Sequence, residues 1–285
     1  PPSLEYICAL FGCFYAGVVA VPAYPPRRNS NLLRLQSIIA DAQASVILTT
    51  SALLENIQKF ATNSIISTDH LIPDFYSREE VNITPETLAF LQYTSGSTGN
   101  PKGVMLTHEN LLHNSKIIHH CFEHTAHSRC VIWLPPYHDM GLIGGILQPF
   151  YGGFPVILMS PVHFLQKPIR WLQAISRYQA TTSGAPNFAY QLCLQKIKPE
   201  QLKTLDLSSW DVAFVGAEPI QAKTLENFAE TFASCGFRSE AFYPCYGLAE
   251  ATLFVSGGKK SKPVVVETIE TPALAKNKVI LSSKN

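Results

Sequence analysis

The sequence predicts an α/β fold in which largely parallel sheets are covered by helices on both faces. Short apolar runs alternate along the chain with longer segments whose apolar residues recur at helical spacing, and this alternation implies parallel pairing of the strands. The 285 residues are 46% hydrophobic and 15% charged, a composition that can fill a sizeable buried core.

The first apolar stretch, from Tyr6 to Pro26, carries no charged residue and approaches the ~20 residues of a membrane span. Glycines and prolines interrupt the stretch, and buried elements of a parallel sheet are equally apolar. We therefore expect a helix that ends near Tyr15 and a buried strand from Gly17 to Pro22, with the membrane span as the alternative.

The same alternation continues along the rest of the chain. Ser30 is expected to cap a helix from Asn31 to Ala44, and a strand from Ser45 to Thr49 follows it. The remaining predicted elements, in chain order, are strand Leu88 to Tyr93, helix His108 to Phe122, strands Val131 to Leu134 and Pro155 to Met159, helix Pro168 to Tyr178, strand Ala180 to Ser183, helix Phe188 to Lys196, strand Val212 to Val215, helix Gln221 to Ala233 and strand Glu240 to Tyr243.

Charge and cysteine content narrow the classes of function. The net charge is +1 and no Lys/Arg run exceeds two residues, so the electrostatic footprint of a nucleic-acid binder is missing. Seven cysteines stand at irregular spacings without a Cys-x-x-Cys pair, which favours reduced thiols and a cytoplasmic location. No basic segment precedes the first apolar stretch, so we expect no signal peptide, and the start at Pro1 suggests a fragment.

A loop rich in glycine and hydroxyl groups lies between the strand that ends at Tyr93 and the helix after Thr107. It reads Thr94-Ser95-Gly96-Ser97-Thr98-Gly99-Asn100-Pro101-Lys102-Gly103. Glycines let backbone N–H groups approach an anionic oxygen, hydroxyls add donors, and Lys102 supplies a mobile positive charge. The loop therefore predicts a phosphate cradle, with a flexible surface loop as the alternative. A Walker A loop is excluded, because that motif ends in Gly-Lys-Ser/Thr.

This loop resembles the signature of the acyl-adenylating superfamily, the AMP-binding enzymes that include acyl-CoA synthetases, peptide-synthetase adenylation domains and luciferases. Three further blocks resemble the superfamily in the right order: Leu134 to Gly141, Gly216 to Pro219 and Tyr246 to Thr252. The resemblance implies that residues 1–256 are the major part of an AMP-binding N-terminal domain. Residues 257–285 would begin a family-specific insertion and a further subdomain, and the C-terminal subdomain would lie beyond them.

The resemblance also implies roles for individual residues. Glu250 would hold the magnesium ion that bridges the ATP phosphates, since a carboxylate suits this hard cation. Without the neighbouring motifs, the alternative would be a solvated glutamate at the start of a helix. His138 would border the carboxylate and the AMP phosphate, with a backbone-satisfied histidine as the alternative, and Asp139 would brace the loop. His138 and Lys102 are the expected catalytic residues. The expected nucleotide-binding residues are Thr94, Ser95, Gly96, Ser97, Thr98, Gly99 and Lys102 around the phosphates, and Gly216, Ala217, Glu218, Tyr246 and Gly247 around the adenine.

Four segments resemble one branch of the superfamily, the fatty acyl-AMP ligases: Val21 to Arg27, Tyr137 to Gly145, Ala185 to Tyr190 and Tyr246 to Thr252. The resemblance implies activation of a fatty acid by MgATP to an acyl-adenylate, with release of pyrophosphate. The acyl group would pass to the phosphopantetheine thiol of an acyl-carrier protein or of a polyketide or peptide synthase module. A long-chain acyl-CoA synthetase and a truncated, non-catalytic nucleotide- or lipid-binding module are the alternatives.

The resemblance also places a ribose-binding aspartate and a catalytic lysine beyond the last block, so we expect this stretch alone to be inactive. Ala249 and Pro244 depart from the Thr and Asn that the superfamily often has there. Apolar residues and glycines from Met140 to Leu147 could line a tunnel for an alkyl chain.

A cluster of histidines and cysteines offers a competing site. His119, His120, Cys121, His124, His127 and Cys130 lie within twelve residues. An inward stripe of Leu111, Ser115, Ile118 and Phe122 would leave the histidines largely on the exposed side of the helix, with Cys121 beside the core. Metal binding is not favoured, because closed sites show tighter paired spacing.

Overall fold

The computed structural model describes residues 1–26, 32–71, 81–94 and 101–282. The helices are α1 Leu4–Tyr15, α2 Leu32–Asp41, α3 Ser51–Gln58, α4 His108–Cys121, α5 Gln148–Gly152, α6 Pro161–Gln166, α7 Ile169–Tyr178, α8 Asn187–Lys196, α9 Pro199–Leu202, α10 Ala222–Phe232 and α11 Thr271–Leu274. The strands are β1 Val46–Thr49, β2 Ser64–Ser67, β3 Leu88–Thr94, β4 Lys102–Thr107, β5 Cys130–Ile132, β6 Val156–Leu158, β7 Thr182–Ala185, β8 Val212–Val215, β9 Phe242–Gly247 and β10 Phe254–Gly257.

The main sheet has six strands in the order β10-β9-β8-β7-β5-β6. All neighbouring pairs are parallel except β10, which runs antiparallel to β9. Every residue of β7 and β8 is buried, as expected for central parallel strands that are covered on both faces. Helix α7 contacts β5, α8 contacts β7, and α10 packs against α8. The predicted fold class is confirmed.

Aromatic side chains fill the core behind this sheet. Trp171, Tyr190 and Trp210 are fully buried, and the Trp171 ring centroid lies 5.3 Å from each of the other two. Both indole N–H groups find acceptors at Ser183: Trp171 donates to its hydroxyl at 2.8 Å and Trp210 to its carbonyl at 3.1 Å. Truncating one such ring to Ala typically costs about 3–5 kcal/mol, so this cluster fixes the sheet that carries the site.

The N-terminal part forms smaller sheets. Strands β3 and β4 are an antiparallel hairpin, and β1 pairs with β2 in parallel. A second core cluster joins α1, the hairpin and the segment 142–147, with Leu10, Phe90 and Leu106 at its centre. Helix α1 has 12 residues and begins at a Ser3 cap. Within the described ranges, no helix is long and apolar enough to cross a membrane.

Three sequence predictions need correction. The expected strand from Gly17 to Pro22 is reduced to one parallel bridge, between Ala20 and Phe90, because Gly17 takes a left-handed φ of +64° and breaks the extended run. Strand β4, which the sequence pattern does not predict, lies between the phosphate loop and α4, while α4 starts at His108 as predicted. Strands β7 and β9 begin two residues later than predicted. The predicted cap Ser30 lies outside the described residues.

Candidate active site

The carboxyl ends of β8 and β9 meet at one edge of the main sheet. The two strands are parallel, with Val215 opposite Pro244, so the segments that follow these residues emerge side by side. In α/β sheets, ligands bind in the crevice outside the carboxyl ends of the strands. Here Gly216 and Ala217 after β8, and Tyr246 and Gly247 at the end of β9, line one cavity of about 200 Å³.

This cavity, named here the sheet-end cavity, has a polar rim and an apolar interior. Its rim includes the exposed side chains of His138, 56% accessible, and Tyr246, whose residue is 61% accessible. The interior is built from buried or half-buried side chains of α4, β8 and β10 and of the segment 140–147: Ile118, Phe122, Phe214, Leu253, Phe254 and Met140. A polar group can therefore bind at the rim while an apolar chain enters the interior.

Close backbone approach shapes the rim. A Cβ added at Gly216 would lie 2.9 Å from the Cys245 carbonyl oxygen, and one added at Gly247 would collide with the Leu253 carbonyl. Glycine is therefore required where β8, β9 and β10 come together. The neighbouring Ala217 holds a left-handed φ of +66°, a conformation that costs a non-glycine residue of order 1–3 kcal/mol and clusters at functional sites.

His138 is held at the rim by its neighbour Asp139. Their side chains meet at 2.8 Å between Nδ1 and Oδ1, and this hydrogen bond raises the pKa of His138 above its usual value, against the opposing effect of burial. Asp139 also accepts from the Met140 backbone N–H at 2.6 Å, at the start of a π-helix over Met140–Leu147. Asp139 therefore contacts both the His138 ring and the start of the π-helix.

Glu250 lies in a second cavity of about 420 Å³, where the loop after β9 meets α4. This polar cavity, named here the Glu250 cavity, is also lined by Glu109, His113 and Thr252. The Glu250 residue is exposed. Its carboxylate is therefore open to a cation or a phosphate-bound metal, as the chemistry of a hard-cation ligand requires.

The loop that carries Glu250 has a strained turn. Thr252 adopts φ 74° and ψ −63°, and the Leu253 N–H donates to the Ala251 carbonyl at 3.0 Å, which makes a γ-turn with positive φ. Buried Asn114 of α4 clamps this turn: its Nδ2 donates to the Phe254 carbonyl at 2.9 Å and its Oδ1 accepts from the Phe254 N–H at 3.0 Å. Nothing in the sequence marks Asn114, because its partners lie more than a hundred residues away.

The phosphate loop is described only at its two ends. Thr94 closes β3 and Lys102 opens β4, and the two residues are paired across the hairpin. Directly opposed Cα atoms in an antiparallel pair are about 4.5–5.5 Å apart, so Lys102 stands beside the start of the loop. The predicted site residues Ser95, Gly96, Ser97, Thr98 and Gly99 lie outside the described residues.

The structure brings together most of the predicted adenine-binding residues and places one elsewhere. Gly216, Ala217, Tyr246 and Gly247 share the sheet-end cavity with His138. Glu218 does not line this cavity; its carboxylate accepts the Phe188 N–H at 2.5 Å, at the start of α8. A carboxylate in that position stabilises the positive end of the helix dipole.

The structure confirms only part of the prediction that the clustered histidines lie on the exposed side of the helix. His120 and His127 are exposed, but His124 is buried, because the chain turns back onto the core after α4. Its Nδ1 lies 3.3 Å from the Gln148 side-chain nitrogen, and burial lowers its pKa to about 3. Over the described part of the chain, no group of three His, Cys, Asp or Glu side chains could hold a metal ion.

A crevice with a polar rim, an apolar interior and a glycine-lined edge, outside the carboxyl ends of parallel strands, is the place where α/β domains bind their ligands. The chain belongs to the AMP-binding enzyme family, whose family model matches residues 1–281. This membership confirms the superfamily that the phosphate loop and the three later blocks indicated.

Individual relatives are fatty acid ligases. The chain is 48% identical to the medium-chain-fatty-acid–[acyl-carrier-protein] ligase JamA of Moorena producens, over 99% of this chain and 50% of JamA. It is 36% identical to the ligase of the same description, TtuA, of Teredinibacter turnerae, over 100% of this chain and 51% of TtuA. The fatty acyl-adenylate ligase of Legionella pneumophila, crystallised with acyl adenylate and pyrophosphate, has a TM-score of 0.92 and 43% identity, over 100% of this chain and 51% of that chain. The chain spans about half the length of the curated relatives it matches.

Proposed function

We propose that the whole protein activates a fatty acid with ATP as an acyl-adenylate and passes the acyl group to the phosphopantetheine thiol of an acyl-carrier protein. The sheet-end cavity carries this proposal, because a hydrocarbon chain needs its buried apolar interior and an adenylate needs its polar rim. The relatives named as acyl-carrier-protein ligases support the acid and the acceptor. The reduced thiols, with all seven cysteines free, support a cytoplasmic location.

The first step would be an in-line displacement at phosphorus. A carboxylate oxygen of the acid attacks the α-phosphorus of ATP, and the bond from that phosphorus to the bridging oxygen of the β-phosphate breaks. The electron pair of this bond leaves with pyrophosphate, so the step needs no proton. In the second step, the carrier thiol attacks the acyl carbon, AMP leaves with the electron pair of the broken C–O bond, and the thiol proton is released.

The residues of the chain would act by positioning and by balancing charge. The imidazolium of His138, held by Asp139, would attract the carboxylate at the rim. Lys102, at the start of β4, would reach the ATP phosphates together with Thr94 and loop residues 95–99. Gly216, Ala217, Tyr246 and Gly247 would frame the adenine, with the Glu218 backbone continuing the same segment and its side chain capping α8.

Magnesium fits the Glu250 cavity. Glu250 is exposed and faces a polar cavity that Glu109 also lines, which is a donor set of oxygen ligands. Glu250 would hold the ion, and when bound the ion would neutralise the charge that builds on the departing pyrophosphate.

We propose the same limits for the domains as the sequence indicates: residues 1–256 as the major part of the AMP-binding domain, and 257–285 as the start of a family-specific insertion and a further subdomain.

The products of the complete protein test this function. Incubation with ATP, Mg²⁺ and a saturated fatty acid should give acyl-AMP and pyrophosphate, detected by mass spectrometry. Added holo-carrier protein should then become acylated, while coenzyme A should yield little acyl-CoA. Rapid formation of acyl-CoA would favour an acyl-CoA synthetase. Binding of ATP and fatty acid without formation of either product would favour a non-catalytic binding module.

A further inference from the structure

Three buried aromatic rings form part of the wall of the sheet-end cavity. Phe122, Phe214 and Phe254 all line the cavity and are only 6–8% exposed. The Phe122 ring is central to this wall: its centroid lies 5.9 Å from Phe254, 6.0 Å from Phe214 and 4.6 Å from Tyr243. Tyr243 is buried and does not line the cavity, so it stands behind the Phe122 ring.

The backbone holds Phe122 in a fixed place. Phe122 is the residue that ends α4, and the next residue, Glu123, has a left-handed φ of +50°. The Glu123 N–H donates to the His120 carbonyl at 3.1 Å, and the His124 N–H donates to the His119 carbonyl at 3.0 Å. This pair of hydrogen bonds is the Schellman arrangement that terminates a helix. The Phe122 Cα is therefore anchored at a defined helix end rather than in a loose loop.

The space around the Phe122 ring is filled on the side away from the cavity. The imidazole of His124 packs edge-on at 5.4 Å between ring centroids, and His124 in turn lies 4.8 Å from Phe154. All three side chains are buried. Because interiors are close-packed, movement of the Phe122 ring toward these side chains would have to displace them.

We propose that the Phe122 ring is the floor of the acyl site and sets the greatest length of the fatty acid that the enzyme accepts. This inference rests on the proposed function and extends it to a substrate class, acids of medium rather than long chain. The cavity of about 200 Å³ is smaller than the ~300–1,000 Å³ of typical ligand pockets, so its apolar interior takes only a chain of limited length. A longer acid would have to displace a buried ring, and overpacking of this kind is destabilising.

The test measures kcat/KM for acyl-AMP formation by the complete protein over a series of saturated acids of increasing length. The variants are Phe122→Leu, which shortens the side chain but keeps it aliphatic, and Phe122→Trp, which raises the floor. Each further methylene that Phe122→Leu admits should raise kcat/KM about fourfold relative to the native enzyme. Phe122→Trp should move the optimum to shorter acids, and Phe122→Leu should move it to longer acids.

Phe232→Leu is the matched control. Phe232 is as deeply buried in the same core cluster but does not line the cavity, so its truncation should leave the length profile unchanged. Thermal unfolding shows whether each variant is folded. A native length profile in folded Phe122→Leu and Phe122→Trp, or an equal shift in Phe232→Leu, would overturn the inference while leaving fatty acid activation intact. If the native enzyme adenylates no fatty acid, the proposed function itself fails.

Discussion

Replacing Asn114 by Ala should loosen the loop that carries Glu250. The substitution removes three hydrogen bonds, to the Phe254 carbonyl at 2.9 Å, from the Phe254 N–H at 3.0 Å and to the Ala251 carbonyl at 3.3 Å. Asn114 is 5% exposed, so water does not readily replace these partners. Buried groups left without partners cost about 1–3 kcal/mol each, and the turn at Thr252 stores strain of similar size. We therefore expect a loss of about 3 kcal/mol in the free energy of opening this loop.

Hydrogen exchange measures this loss directly. A decrease of about 3 kcal/mol should make amide exchange of the segment 251–257, which includes β10, roughly a hundredfold faster, with little change in the central strands β7 and β8. Asn114→Asp, which keeps an acceptor for the Phe254 N–H but loses both donated bonds, should give an intermediate rate. Asn110→Ala on the same helix is the control, because the Asn110 side chain accepts from the Thr107 N–H at its own helix cap and, among the described residues, makes no hydrogen bond to the segment 251–257. Exchange of segment 251–257 within twofold of the native rate in Asn114→Ala would refute the clamp.

The remaining predictions concern pH and the phosphate site. Burial lowers the pKa of His124 to about 3, so its contribution to stability is complete above about pH 6.5 and is lost as pH falls. Near pH 4.5 the loss should reach about 3 kcal/mol, and urea unfolding should show a smaller loss in His124→Leu. Asp139→Asn should lower the pKa of His138, since the hydrogen bond that His138 donates to the Asp139 carboxylate raises this pKa, and NMR titration of the imidazole reports the shift. Lys102→Ala should raise the KM for ATP, and Glu250→Gln should lower kcat and raise the Mg²⁺ concentration needed; native kinetics in both variants would show that the phosphate site is misplaced.

The fold was largely predictable because its strands and helices are locally encoded. The buried strand Val212–Val215 and the amphipathic helix Ala222–Phe232 have the apolar patterns that solvent-shielded strands and one-sided helices require. Strand β4 was missed because Lys102–Thr107 is half polar and is stabilised by its pairing with β3 rather than by its own pattern. The boundaries of β7 and β9 depend on tertiary pairing in the same way.

The rim of the site was predictable and its interior was not. Gly216, Gly247, His138 and Glu250 stand in recognisable sequence blocks; the structure places the first three at the sheet-end cavity and Glu250 at its own cavity. Asn114 and Phe122 occupy positions of α4 and its C-terminal end that face the core in any amphipathic helix. Their roles depend on contacts with β10, which is distant in sequence. Burial of His124 was likewise set by the turn at Glu123 rather than by helical periodicity.

Exchange of labelled pyrophosphate into ATP by the complete protein tests the central claim most directly, because formation of an enzyme-bound acyl-adenylate is reversible. The proposed function predicts exchange when a fatty acid and Mg²⁺ are both present, and only background exchange when either is omitted. Exchange driven by amino acids instead, or no exchange with any fatty acid, would contradict it.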